Sequence, residues 1–346
     1  MQDDVIIRRA AMDEIDRVML FLKEHWGENH IMANHRELMC YEHAWNGEFT
    51  FVIAEDSRTG QLYGVCGYIP YSGEMPKDMG VGIWKVIQNP HFLLGVELFR
   101  YVQEQTGCRM LADCGANPKT KGHRKLMGHI NAKLDHWYRL NPDVKTYSIA
   151  VVNERKIAVK RTERPFKLIE LTCIEQFKER FDVSRYRELM PYKDNDYIEH
   201  RYYRHIKYRY RVMGIDNGNR IDAVVIGREV CPNGQKAFRI IDFLGNEASF
   251  AGTFDAWHFF MTAHGYEYID FYEYGLNQEY LADAGFFLRD ESDGNIIPNY
   301  FEPFEQRNVE IHISTNIHGS FRMFKGDGDQ DRPNVILDAN CRKTVM

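Results

Sequence analysis

The sequence predicts an α/β protein of two domains, each organised around a mixed sheet. Three observations predict it. The chain has 346 residues, too many for one ordinary core and suited to two domains of roughly 150 residues each. Hydrophobic residues at 44% and charged residues at 27% are globular values, which excludes a disordered or low-complexity chain. Each half runs through a hairpin, a strand, a helix, a strand and a short helix closed by glycine, a weak duplication of topology rather than of sequence.

The elements follow in order. Residues 5–8 read as a short strand, and 13–25 carry Ile15, Val18, Met19 and Leu22 at helical spacing. A second helix fits 36–44. Strands over 49–54 and 62–69 flank the polar turn 56–60. A strand over 81–87 stops at Asn89-Pro90, and the helix 92–104 is closed by Gly107. The strand 109–113 then leads through Gly115-Ala116-Asn117-Pro118 into a short helix ending near Gly128. The charge-rich stretch 146–205 reads as a connecting segment with one helix near 174–181. Beyond it come strands over 208–212, 221–226 and 238–244, a helix over 254–263 ending at Gly265, a strand over 268–272 and a short helix running into Gly285-Phe286. The expected organisation is a first domain over 1–145, the connection 146–205, and a second domain with a C-terminal tail over 206–346.

Charge and cysteine usage narrow the class. With 44 Lys+Arg against 50 Asp+Glu the net charge is −6, which argues against a dedicated DNA binder. No run of about 18 apolar residues predicts a membrane span, and the opening residues lack the order of a secretory leader. Seven cysteines without a C-x-x-C pair fit reduced thiols in a cytoplasmic protein and no metal site.

Several local clusters invite a chemical reading. Cys114 has no partner signature of a catalytic thiol, and Asn117 is better read as a helix N-cap. In a strand from Lys207, Tyr208 and Tyr210 would share one face and Lys207, Arg209 and Arg211 the other. Such a basic face suits a diphosphate or an RNA backbone, or merely protects an edge strand. Asp327-Gly328-Asp329-Gln330-Asp331 begins like a calcium loop, with Asp338 at the twelfth position. Arg332 stands where that loop needs glycine, so the expectation is a turn with Arg332 paired to a carboxylate.

The succession of hairpin, strand, helix, strand and short helix, with Leu281-Ala282-Asp283-Ala284-Gly285-Phe286 in the second half and Leu126-Met127-Gly128-His129 in the first, resembles the GNAT acyltransferase fold. It occurs twice. His136-Trp137-Tyr138-Arg139-Leu140-Asn141 and residues 324–334 resemble two-domain GNAT-like proteins of bacterial surface-polysaccharide clusters. The resemblance implies two GNAT-like domains, each a mixed, mostly antiparallel sheet flanked by helices. It implies an acyltransferase that modifies a sugar or nucleotide-linked amino sugar, with acyl-CoA (acetyl-CoA) as donor. A Fem-type transferase using aminoacyl-tRNA, which would make tRNA a partner, and a non-catalytic binding protein with decayed CoA sites are the alternatives.

By that resemblance the donor would be held by Gln88, Asn89, Leu94, Gly95, Val96 and Asn117, with phosphates at a helix N-terminus. Phe92 stands where a basic or amide residue is usual, and Glu97 brings a carboxylate into the first turn. The junction after the first helix would line the acceptor pocket with His25, Trp26, Asn29 and Arg36, and His30 would act as general base. Asn299, Tyr300 and Glu302 would contribute from the second domain's cleft.

Overall fold

A computed structural model of the chain describes residues 5–75, 77–89, 91–160 and 165–334. They fall into two compact units. The first holds the chain up to Ala132, His312–Gly319 and the residues from Asp327; the second holds Lys133–Ile311 and Ser320–Gly326. Most of the segment expected to connect two domains therefore belongs to the second unit. Among the described residues no helix is long and apolar enough to cross a membrane.

The first unit contains β1 (Val5–Arg9), α1 (Ile15–His25), α2 (Ile31–Asn34), α3 (Arg36–His43), β2 (Phe51–Asp56), β3 (Leu62–Pro70), β4 (Asp78–Val86), α4 (Leu94–Thr106), β5 (Met110–Cys114), α5 (Lys121–Leu126) and β6 (Ile130–Lys133). The second contains β7 (Asp135–Leu140), β8 (Lys167–Glu170), α6 (Ile174–Arg180), α7 (Asn195–Ile198), β9 (Arg211–Asp216), β10 (Ile221–Val230), β11 (Lys236–Gly245), α8 (Phe254–His264), β12 (Tyr266–Tyr274), α9 (Gln278–Asp283) and β13 (Phe287–Leu288). Two late strands complete the sheets. β14 (His312–Thr315) joins the first, ordered β1-β2-β3-β4-β5-β14-β6, and β15 (Met323–Phe324) pairs with β12 of the second, ordered β8-β9-β10-β11-β12-β7-β13.

Strand alternation explains how the first sheet is covered on both faces. Phe51 and Ile53 of β2 pack with Ile15, Val18 and Leu22 of α1 and with Leu38 and Met39 of α3. Val52 and Ala54 point the other way, into Leu94, Leu98, Phe99 and Val102 of α4. α4 stops at Gly107, whose φ of 58° is the left-handed cap that a glycine takes without steric cost.

The two units share irregularities that no propensity encodes. In the first, the register jumps from Ala54↔Gly64 to Glu55↔Leu62, and from Gly67↔Ile83 to Tyr68↔Val81, so Tyr63 and Gly82 are the extra residues of two β-bulges. In the second, it jumps from Ile215↔Ala223 to Asp216↔Ile221, and from Ile226↔Asp242 to Gly227↔Ile240, leaving Asp222 and Ile241 extra. Each unit then forms its one parallel pair recorded among the described strands, β4 with β5 and β11 with β12. A bulge reverses which face later side chains occupy. Val81 packs with the α4 cluster, whereas Ile83 packs with the α1–α3 cluster.

A difference beside the second bulge distinguishes the two units. In the second unit β15 lies against the far end of β12, pairing Met323 with Tyr274 and Phe324 with Glu273. The chain then brings Gly326 so close to the bulge that a Cβ there would meet the Ile241 carbonyl oxygen at 2.8 Å. The corresponding part of the first unit carries no such strand among the described residues.

One local expectation is corrected and another agrees with the structure. The strand expected from residue 208 begins only at Arg211, after a π-helical turn over Glu199–Tyr203. The His205 ring accepts the backbone N–H groups of Lys207 and Tyr208 at 3.1 and 3.0 Å, which bends the chain and removes the two-faced alternation. Arg211 is committed to Glu170 at 2.6 Å. The aspartate-rich tail forms the 3-10 turns Lys325–Asp327 and Asp329–Asp331, and Arg332 pairs with Glu42 at 2.7 Å. Asp338 lies outside the described residues, among which no cluster of His, Cys, Asp or Glu could hold a metal ion.

Gly326→Ala should destabilise the second unit by about 1–3 kcal/mol, the range for forcing extra volume into a packed site. Gly319→Ala, with nothing within 4 Å of its added carbon, should stay within about 0.5 kcal/mol of wild type. Denaturant midpoints of the two variants check both, and equal midpoints would show that the Gly326–Ile241 approach is not close.

Candidate active site

A cleft within the first unit begins where its parallel strands part. The last rung between β4 and β5 is Val81↔Asp113, yet β4 continues to Val86. One edge of that continuation is paired with β3 through Gly64↔Val86. The opening on its other side is about 1200 Å3, solvent mouth included. Val81–Lys85 form one wall, Asp113, Gly115, Asn117, Thr120 and Arg124 a second, and Trp26, His30, Gln330 and Asn334 the rest.

The second wall is held by Arg124. Its buried guanidinium pairs with Asp113, donates to Thr120 Oγ1 and reaches the Asn117 carbonyl at 3.2 Å. It also lies over the Trp84 ring, 5.1 Å from the centroid. Burial raises the Asp113 carboxyl above its ordinary value against the pull of Arg124. An ion pair so well shielded from water fixes the end of β5 relative to α5. Asn117 is an N-cap as expected, its side chain accepting from Lys119 N at 3.0 Å, and it also faces the cleft.

His30 lies in the cleft wall, and its ring is engaged locally. Its Nδ1 accepts Met32 N–H at 3.3 Å as the cap of α2. Burial, with help from Arg332, lowers its pKa to about 4. A neutral ring whose Nδ1 accepts carries its proton on Nε2 and offers a donor. The Trp26 ring sits 5.8 Å from it. The other junction residues are not among the lining residues. His25 packs edge-on against Phe21 at 4.9 Å, Asn29 is exposed, and Arg36 pairs with Asp16 at 2.9 Å on the surface.

Asn299, Tyr300 and Glu302 belong to the second unit. Asn299 is a buried clamp, its Oδ1 accepting from Arg239 at 3.1 Å and from Lys325 at 2.8 Å. Tyr300 sits in a two-residue strand paired with Phe304–Glu305, and Glu302 in its turn.

The start of α4 meets only half of what an acyl-CoA needs. A Cβ on Gly95 would lie 3.4 Å from the Trp84 ring, an ordinary van der Waals separation, so the helix packs on β4 with room for alanine there. Leu94 and Val96 are buried core residues, and Gln88 precedes the turn. Four amide groups around the turn are engaged locally. His91 N bonds Asn89 Oδ1 at 2.8 Å, Leu94 N bonds His91 O at 3.4 Å, and Val96 and Glu97 N both bond Leu93 O. Glu97 pairs with His91 at 3.6 Å, and a carboxylate at that end disfavours phosphate. The free strand edge thus fits an extended, amide-bearing arm, while the turn fits a diphosphate poorly.

Sequence reasoning missed the Asp113–Arg124 wall, Gly82, Gln330 and Asn334. An aspartate ending a strand and an arginine eleven positions on carried a faint signal; the other three carried none.

Comparison with solved structures follows the geometry. A GCN5-related N-acetyltransferase from Anabaena variabilis aligns over 90% of this chain and 72% of its own, at 12% identity and a TM-score of 0.53. A protein of unknown function from Enterococcus faecalis, described as a probable N-acyltransferase, aligns over the same shares at 9% identity and a TM-score of 0.53. These likenesses give the fold, a two-unit GNAT-like α/β architecture. No protein-family model matches the sequence, and no curated protein matches it either.

Buried imidazoles make stability pH-dependent with a definite sign. His30, His43, His129 and His136 are each lowered from 6.5 to about 4, burial being the largest cause. The unfolded chain therefore binds more protons between those values, and stability should be full above pH 6.5 and fall towards pH 4. Glu273, raised by burial to about 7, and Asp113, also raised by burial, act in the opposite sense. Denaturant midpoints at pH 7, 5.5 and 4.5 should decline steadily, and a flat series would show that these rings protonate freely in the fold.

Proposed function

We propose that the first unit is an acyltransferase that takes its acyl group from acyl-CoA and passes it to the amine or hydroxyl of a sugar. A nucleotide-linked amino sugar of surface-polysaccharide synthesis is the acceptor this reading favours. The observation that carries it is the open parting of β4 from β5 in a GNAT-like unit. Beyond Val81 the free edge of β4 offers backbone N–H and C=O groups to the amides of a pantetheine arm, as a further strand would. Backbone N–H groups at such an edge also stabilise the oxyanion that develops at the thioester carbonyl, and they need no reorganisation to do so. When bound, the thioester supplies the activated acyl carbon.

This chain's residues do the rest. Arg124 and Asp113 keep the β5 wall in place. The His30 Nε2–H, fixed by the α2 cap, donates a hydrogen bond to the acceptor; as the new C–N or C–O bond forms and the thioester C–S bond breaks, the acceptor's proton would pass to the departing CoA thiolate. Trp26 supplies a stacking surface and Gln330 and Asn334 supply amide groups, the mixture that sugar recognition uses. The second unit has β15 in the corresponding place and is read as not binding donor.

Acetyl-CoA at 100 times its dissociation constant should stabilise the protein by about 2.7 kcal/mol through linkage. Asn117→Ala should weaken that effect, and mass spectrometry of amino sugars incubated with acetyl-CoA should find an added acetyl group. No thermal shift at millimolar acetyl-CoA would overturn the reading. A shift with aminoacyl-tRNA instead would make tRNA the donor's carrier.

A further inference from the structure

At the C-terminal end of α4 lies an opening that the acyl-transfer reading leaves unused. It is about 900 Å3, solvent mouth included, and shares no lining residue with the cleft. The first unit builds it where its elements end or begin. Arg9 closes β1, Tyr68 and Pro70 lie at the end of β3, Met79 at the start of β4, and Gln105 and Thr106 finish α4. A hairpin supplies the remaining wall. Ala44–Trp45 pairs with Glu48–Phe49, and Asn46 and Gly47, at φ of 51° and 79°, form the left-handed two-residue turn that matches strand twist. Trp45 is thereby set opposite Glu48, and buried Phe49 anchors the hairpin in the core.

The charges on this lining do not cancel. Arg9 donates from Nη2 to the Gln105 carbonyl at 3.0 Å, and its Nη1 lies 3.6 Å from Glu48. Lys77 has no such match. It is half-buried and makes no ion pair among the described residues, for Asp78 beside it is committed to Arg109 at 2.6 Å. The lining thus holds one more cation than carboxylate, in a chain whose net charge is −6.

Tyr68 supplies a neutral donor. Only 5% of it is exposed. Its hydroxyl makes no hydrogen bond among the described residues and is not one of the enclosed polar atoms, so it meets the solvent of the opening. Burial pushes the phenol above its ordinary value against the pull of Arg9, and a phenol that keeps its proton can donate. The Thr50 and Thr106 hydroxyls are engaged by backbone carbonyls at 3.1 and 2.7 Å. The Asn46 and Gln105 side-chain amides make no such bond among the described residues.

An unmatched ammonium selects an anion, a phenol and two amides select hydroxyl groups, and an indole selects the face of a ring. An aromatic acid would leave the amides idle, and a neutral sugar would leave the lysine idle. We propose that this opening binds an acidic sugar, its carboxylate or phosphate on Lys77 and Arg9, its hydroxyls on Tyr68 and Gln105, and its ring against Trp45. The site is separate from the cleft and does not rest on the acyl-transfer reading.

Calorimetric titration of the full chain with glucuronate, glucose-6-phosphate and glucose, without acetyl-CoA, tests it. The better-bound acid should bind at least about tenfold tighter than glucose, the worth of one charge-assisted hydrogen bond, and which acid it is tells a carboxylate site from a phosphate site. Lys77→Met should abolish that preference. Tyr68→Phe should weaken the acid about threefold or more and leave the melting temperature within about 2 °C, since the hydroxyl holds nothing in the fold. Asn117→Ala, a change in the cleft, should bind the acid as wild type does. No heat with either acid at millimolar concentration, equal affinity for acid and glucose, a preference that survives Lys77→Met, or undiminished affinity in Tyr68→Phe overturns the proposal. Loss of binding in Asn117→Ala overturns it as well, by placing the sugar in the cleft. Acid binding with no acetyl-CoA thermal shift would sink the acyl-transfer reading alone, and the reverse would sink this proposal alone.

Discussion

Everything in the first unit that could do chemistry depends on β4 and β5 ceasing to pair after Val81 and Asp113. Two parallel strands in a continuous sheet would otherwise satisfy each other's backbone groups and leave nothing to bind with. The extra residue at Gly82 turns β4 at the point where it parts, and the Asp113–Arg124 pair holds the end of β5. The cleft is thus a defect in hydrogen bonding that the rest of the unit is built to preserve.

The second unit carries the same bulge and resolves it oppositely. Asp242, next to the extra residue Ile241, binds Lys193 at 2.6 Å and Tyr202 at 2.5 Å, all buried. The Lys193 ammonium also lies 5.3 Å from the Phe324 ring centroid, which ties β15 to the bulge. Further along, Arg239, Asp270 and His136 form a second buried network. Burial lowers His136 to about 4 and the Arg239 guanidinium helps hold Asp270 down to about 2. Removing one member of such a network is costlier than never having built it, so the filled unit is committed to its filling.

Long periodic elements were legible in the sequence because one buried face dictates them. α1 and α4 differ from their expected bounds by two residues at most. The strand after residue 208 was misread because a histidine ring, not a turn residue, bends the chain. Of the residues singled out in the sequence, Trp26, His30 and Asn117 line the cleft; His30 and Asn117 cap helix starts, where polar side chains have a local duty, and Trp26 closes α1. Asn299 misled for a nonlocal reason, since a polar residue among aromatics looks like a cleft until its partners Arg239 and Lys325 are seen. The bulges were invisible because they count residues between strands and leave no trace in hydrophobic alternation.

The exchange of strands along the chain bears on how the protein comes off the ribosome. β14 lies between β5 and β6 in the first sheet but is encoded some 180 positions after β6. Until it emerges, β5 has an unpaired edge and β6 has no neighbour to dock on. The first unit synthesised is consequently the one whose sheet is completed late, after most of the second has appeared. Such long-range pairings slow folding and leave a sticky strand edge waiting. A nascent chain stalled before residue 312 would present that edge to chaperones, whatever the maturity of its second unit.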